Sequence, residues 1–336
     1  MKQWITGEYE KDEQGAYRMR QLCFEIEEEQ DGMTVNTFAR NVAGLSRGFL
    51  RSIKFRENGI SLNGVRVTTR AVMHRGDRLV FTMDYDDSQR IVPTEGEVSI
   101  LFENKDLILV DKPAGMVVHP CHGHFEDSLL NHLVWHYKEE DGQLLCPVGR
   151  LDKDTSGLIL IARNKYAARY MEVERQQGQL SRIYLALTEG HFLSMPLEGV
   201  IDRPIAKVAD VFNQYEVSPE GRPSKTFYEV LGQGEMDGQP FTLVRLKLET
   251  GRTHQIRVHM ADCGHPLLGD PIYGHAGMLG FGRAALHSIE IGCVLPETGE
   301  KKCFAADLPE DFLRCIEICN NWEEKMSGLR YNRIKE

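Results

Sequence analysis

Helical spacing of apolar residues comes first in the stretch 33–83, predicting a short helix around Val35 to Val42 and a second opened by Ser46 as N-cap and ending near Asn58-Gly59. Alternation then takes over. Ile60-Ser61-Leu62 and Val65-Arg66-Val67 flank Asn63-Gly64, the pair favoured by a type I′ hairpin turn because both central residues need positive φ. Gly76-Asp77 precedes a further strand, Arg78 to Thr82. Beyond it, residues 84–97 carry an acidic run and Pro93 and read as a linker.

From Ile100 the apolar runs shorten into strands: Leu107 to Val110, Leu158 to Ala162, Ile183 to Leu187, Phe227 to Leu231 and Phe241 to Leu248. Few long helical patterns interrupt them. This predicts an α+β fold with a large, mostly antiparallel sheet, followed by an amphipathic helix around Asp311 to Trp322 and a charged tail. The expected division is an extension at 1–32, a small basic domain at 33–83, the linker at 84–97, a large domain at 98–310 and the terminal helix and tail at 311–336.

Charge sharpens this division. The whole chain of 336 residues carries −10, yet between Thr34 and Thr82 nine Arg or Lys face two acids, a local +7 against −17 for the remainder. A polyanion can bind such a face of an acidic protein. Arg47, Arg51 and Lys54, spaced three or four apart, share one side of the second helix. The sequence contains no apolar run long enough to span a membrane, and the start MKQWITGEYEKDEQG has no signal-peptide pattern, so a cytoplasmic protein is expected. Eight cysteines without a CxxC pair predict reduced thiols, and Cys121, His122 and His124 lack the second ligand pair that a zinc site needs.

The chemistry concentrates in PVGRLDKDTSGLILIARN, residues 147–164, where a polar loop with Arg150, Asp152, Lys153, Asp154, Thr155 and Ser156 leads into a buried strand. By itself Asp-x-Asp-x-Ser also fits a self-bonded turn. Three further segments accompany it: DKPAGMVVHP from Asp111, SRIYLALTEG with Arg182 and Tyr184, and LETGRTHQIRVHMADCGHPLLGDPIYG from Leu248. The last is expected to run from a strand through a Thr-Gly turn into a helix, with Thr253 as N-cap and Gly264 as C′ residue.

Together these segments resemble the RluA-type pseudouridine synthases through nearly all of residues 100–290. The helix-helix-hairpin order of the basic segment, with Leu45-Ser46-Arg47 and Leu62-Asn63-Gly64, resembles an RNA-binding domain shared by a small-subunit ribosomal protein and many RNA-modifying enzymes. The resemblance implies Asp152 as catalytic carboxylate, Tyr184 against the target base, Arg257 paired with Asp152, and Arg150 helping to extrude the uridine. Lys112, Arg252, His254, Arg47, Arg51 and Lys54 are the further expected substrate contacts. One position departs from the pattern: Gly149 stands where most RluA-type chains have His, and Gly-Arg-Leu-Asp is similar to the sister RsuA-type branch.

The implied reaction breaks the N1–C1′ bond of uridine, turns the uracil and bonds C5 to C1′, with no redox change or net hydrolysis, so no cofactor and no metal are expected. A carboxylate beside C1′ serves as nucleophile or takes a proton from C2′. Asp154 beside Asp152 also allows a two-carboxylate glycosidase reading, but uracil leaves as a stabilised anion and needs no second acid. His254 and His259 are open to phosphate binding, proton transfer or a structural role. Competing readings are an RNA-binding protein without catalysis and a nuclease. The expected partner is structured RNA, ribosomal favoured over transfer RNA, acted on by a monomer.

Overall fold

The computed structural model describes residues 9–11, 17–45, 47–56, 59–84, 91–139 and 144–319. The N-terminal unit comprises β1 (Tyr9–Lys11), β2 (Tyr17–Glu25), α1 (Val35–Asn41), α2 (Arg47–Ile53), β3 (Ile60–Leu62), β4 (Val65–Arg66) and β5 (Arg78–Asp84). Its sheet runs β1-β2-β5-β3-β4. Asn63 and Gly64 take the positive φ values, 52° and 80°, that the hairpin requires.

Three boundaries before residue 98 differ from the sequence expectation. Residues 17–30 are no extension: β2 pairs with β5 along its length, and Leu22, Phe24 and Ile26 lie in one buried cluster with Phe38, Leu50, Ile60 and Phe81. The short apolar run Leu22-Cys23-Phe24 was the local signal. The second helix ends at Ile53, although the Lys54 N–H still bonds Leu50 O at 3.0 Å and so continues the basic face. Ser46, expected as its N-cap, and Asn58 lie outside the described residues. Of the linker, residues 91–97 are strapped down, with Asn131 donating to Val92 O at 2.7 Å and Thr94 N–H bonded to Asn131 O.

The large unit contains β6 (Ser99–Glu103), β7 (Leu107–Lys112), α3 (Leu129–His136), β8 (Cys146–Pro147), β9 (Ser156–Ala162), α4 (Lys165–Gln176), β10 (Ser181–Glu189) and β11 (Glu198–Asp202). It continues through β12 (Ile205–Lys207), β13 (Tyr215–Val217), β14 (Lys225–Met236), β15 (Gln239–Leu248), α5 (Gln255–Asp262), β16 (Leu286–Val294), β17 (Lys301–Ala305) and α6 (Glu310–Ile316). The main sheet runs β11-β14-β15-β10-β16-β9-β7-β6, with β17 beside β16 and β8 beside β9. Both faces are covered. Along β10, Tyr184 and Ala186 join the core under α3 and α5, while Ile183, Leu185 and Leu187 join the core under α6, which is why these strands read as unbroken apolar runs. The expected break at residue 310 is corrected by that second core: Phe312, Cys315 and Ile316 are fully buried in it. The helix itself ends at Ile316, and residues from 320 onward lie outside those described.

One junction sets the position of the polar loop before β9. All neighbours in the main sheet are antiparallel except β9 and β16, which meet in parallel at Ser156–His287 and Gly157–Ser288. Gly157 has φ +101°, and a β-carbon there would stand 2.3 Å from Ser288 O. Only glycine fits. Gly157→Ala is therefore expected to cost on the order of 3 kcal/mol, read as a lower midpoint in urea unfolding with an unchanged slope.

Candidate functional site

The loop before β9 and the N-terminus of α5 converge on the face of the sheet that carries Tyr184. Asp152 begins a turn closed by the Thr155 N–H to Asp152 O bond of 3.2 Å. Its carboxylate is the accessible member of a buried polar cluster, 17% exposed against 5% for Arg257 and His254 and 0% for Asp270. Arg257 Nη1 lies 3.8 Å and His254 Nε2 4.0 Å from the same oxygen, Oδ2. These are ion-pair distances without a hydrogen bond.

The tight partner of Arg257 is Asp270, which the sequence reading did not single out. Arg257 Nε and Nη2 each donate to Asp270 over 2.7 Å, and the Ile272 and Tyr273 amides donate to Asp270 Oδ1 at 2.9 and 3.2 Å. Burial alone would raise the Asp270 carboxyl, but Arg257 and the two amides hold it below the usual carboxylate range. Burial likewise opposes the Arg257 charge, and the Asp270 bonds outweigh it. The need for Asp270 shows once the helix is seen to be buried. Gln255 through Met260 are all buried, and a helix buried all round with an arginine on it requires a buried counter-charge.

The backbone held by Asp270 positions a second chain of bonds. Tyr273 Oη accepts the Tyr215 N–H at 3.0 Å and lies 2.9 Å from His254 Nδ1. In the tautomer whose proton is on Nε2, facing Asp152, Nδ1 is free to accept from the phenol. Burial pushes the Tyr273 phenol up to about 12 and, partly opposed by the Asp152 charge, holds His254 below its ordinary value. His254 itself has φ 56° and is the N-cap residue of α5, replacing the expected Thr253; Gly264, with φ 83°, does follow the helix as its C′ residue. His259 is structural, its ring bonded to Thr226 Oγ1 and Arg203 O, both at 2.9 Å. Tyr184 is 4% exposed, its phenol raised by burial, with the Arg182 and Asp152 charges acting on it.

Other expected contacts are distributed differently. Arg150 is exposed, Arg252 is half-buried with Nε donating to Pro223 O at 3.2 Å, and Arg47 and Arg51 are exposed on α2. Among the described residues no group of three or more His, Cys, Asp or Glu is placed to hold a metal. His124 has Nδ1 bonded to Asp127 at 2.7 Å and Nε2 3.2 Å from Lys153 Nζ.

Lys112 requires a correction, because it is no surface contact for RNA. It is wholly buried and donates to Pro113 O, Met116 O and Lys153 O at 2.7, 2.9 and 3.1 Å, tying the Lys-Pro-Ala-Gly turn to the Asp152 loop. Burial lowers its pKa to about 8. On the other side of the loop Arg283 donates to Asp154 O at 3.1 Å while its fork holds Asp311 of α6 at 2.8 and 3.0 Å. Lys112→Met leaves three carbonyls without a donor and is expected to cost about 2–5 kcal/mol in urea unfolding while RNA affinity stays unchanged; a weakened salt dependence of RNA binding in a stable variant would restore the contact reading.

Comparison with known proteins places the chain in a family. The sequence profile of the RNA pseudouridylate synthase family matches residues 106–262. An uncharacterized RNA pseudouridine synthase, YjbO of Bacillus subtilis, is 34% identical over 287 residues, 84% of this chain and 98% of the relative. Ribosomal large subunit pseudouridine synthase D of Escherichia coli is 33% identical over 257 residues, 72% of this chain and 77% of the relative. The solved structure of human RNA pseudouridylate synthase domain containing 1 shares the fold with a TM-score of 0.56, at 24% identity over 71% of this chain and 97% of that one. With its α+β core, its single accessible carboxylate among buried cations and these relatives, the chain belongs to the RNA pseudouridine synthase family.

Proposed function

We propose that the chain isomerises uridines of large-subunit ribosomal RNA through Asp152. The observation that carries this reading is the convergence of Asp152, Arg257, His254 and Tyr184 on one face, with Asp152 alone open to solvent among its charged members. Arg257 and His254 both approach Oδ2, which leaves Oδ1 for the ribose. A carboxylate aimed in this way attacks C1′ or removes the C2′ proton as the N1–C1′ bond breaks, and uracil departs as an anion. After the ring turns, C5 bonds to C1′ as the carboxylate leaves that carbon, or as it returns the proton to C2′, and C5 then gives up its proton while N1 takes one from solvent. The ring of Tyr184, on the strand beneath, suits a uracil that must be held while it rotates.

The target base has to leave its stack first, at roughly a few kcal/mol and less in loops than in duplex, which favours structured RNA with single-stranded segments. Arg47, Arg51 and Lys54 on the small N-terminal unit supply phosphate contacts that position such an RNA without reading its sequence. Ribosomal rather than transfer RNA is supported by the similarity to ribosomal large subunit pseudouridine synthase D.

The test is tritium release from unmodified large-subunit ribosomal RNA and transfer RNA labelled at uridine C5. The full chain is expected to release tritium from the ribosomal transcript without strand scission, and Asp152→Asn to lower the rate by at least about a thousandfold while still binding. Release from transfer RNA alone would overturn the substrate assignment. Undiminished release by Asp152→Asn would overturn the role of the carboxylate.

A further inference from the structure

Lys112, Arg182 and Arg257 are the buried Lys and Arg side chains of the large unit among the described residues. Lys112 has three carbonyls and Arg257 has Asp270. Arg182 is different: it is 8% exposed, its Nε has no hydrogen-bond partner, and it makes no ion pair among the described residues. A charged side chain more than nine-tenths buried with no anion beside it lacks the compensation that a paired one has. Its position explains what it is held for.

Arg182 lies on β10 two residues before Tyr184, so both side chains point to the face that bears Asp152 and α5. Its guanidinium is wedged between two Gly-Arg dipeptides, one on each loop of the site. A β-carbon on Gly149 would stand 3.1 Å from Nη1, and one on Gly251 would stand 3.3 Å from Nη2. Arg150 and Arg252 follow directly on those two glycines. Gly149 has φ +88°, and a side chain there would crowd the guanidinium, which gives the departure from the RluA-type histidine a physical consequence in this chain.

We propose that Arg182 is a phosphate-binding residue, receiving a phosphodiester of the substrate RNA beside the uridine that enters the Asp152 site. The planar fork matches two phosphate oxygens, and three arginines around a pair of bare glycines let an RNA backbone approach closely. The unpaired charge is the stability that the chain gives up for this contact, and binding restores the missing anion. The proposal rests on the Asp152-centred reading of the site for its location, and on binding alone for its test.

RNA affinity is measured in the full-length Asp152→Asn chain, so that nothing turns over, with unmodified large-subunit ribosomal RNA across a salt series. Adding Arg182→Met is expected to weaken binding about tenfold at low salt and to flatten the slope of log affinity against log salt by about 0.7–0.9, one phosphate contact. Arg182→Lys keeps the charge and the slope. Thermal unfolding of the Met variant is expected at or above the parent midpoint, since a hydrophobic group replaces an unpaired buried charge. An unchanged slope in the Met variant, or a Met variant that melts below its parent, overturns the proposal, because the first removes the phosphate and the second gives Arg182 a structural task. If the Asp152→Asn chain still releases tritium, the reading of Asp152 fails while the slope comparison stands.

Discussion

The buried fork between Arg257 and Asp270 is the interaction on which the rest of the site depends. With Nε and Nη2 committed to Asp270, only Nη1 is left to face Asp152, so the direction of the cation is settled before any substrate arrives. The same carboxylate captures the Ile272 and Tyr273 amides and thereby places the phenol that bonds His254 Nδ1. Arg257 and His254 therefore both approach one oxygen of Asp152 through a single anchor. Such preorganisation matters because groups already fixed in a water-poor site need no rearrangement as charge develops. Its cost is dependence: removing one partner of a buried pair typically costs about 3–5 kcal/mol, since the other is left unpaired.

Asp152 stands on a loop that would otherwise be mobile, and the fold restrains it from three directions. Gly157 permits the close parallel contact of β9 with β16 just after the loop. Lys112 staples Lys153 from beneath, and Arg283 reaches Asp154 from the α6 side. Arg283 gives α6 a link to the site in addition to its packing, because its fork on Asp311 ties that helix to the Asp152 loop.

The sequence made the fold class and the central motif legible for different reasons. Strands buried on both faces, such as Leu107–Lys112 and Ser156–Ala162, leave unbroken apolar runs, and the Asn63-Gly64 turn declares its geometry. Asp152, Tyr184 and Arg257 were recognisable by motif, and their convergence is visible only in three dimensions. Asp270 was hidden because its partner is thirteen positions away around a helix and a turn, at no characteristic spacing. Lys112 was misread because a lysine in a glycine turn resembles a surface cation until its burial is known. β2 was overlooked because its partner β5 lies beyond both helices of the small unit, a pairing that local patterning does not reveal.

The decisive measurement is the single-turnover rate of Arg257→Lys on unmodified large-subunit ribosomal RNA, with RNA affinity and unfolding midpoint recorded alongside. An ammonium keeps the charge and can pair with Asp270, but it cannot hold Asp270 with two donors and face Asp152 with a third. The account predicts a folded protein with near-parental affinity and an isomerisation rate lower by about a hundredfold or more. A folded variant that reacts at the parental rate would contradict it.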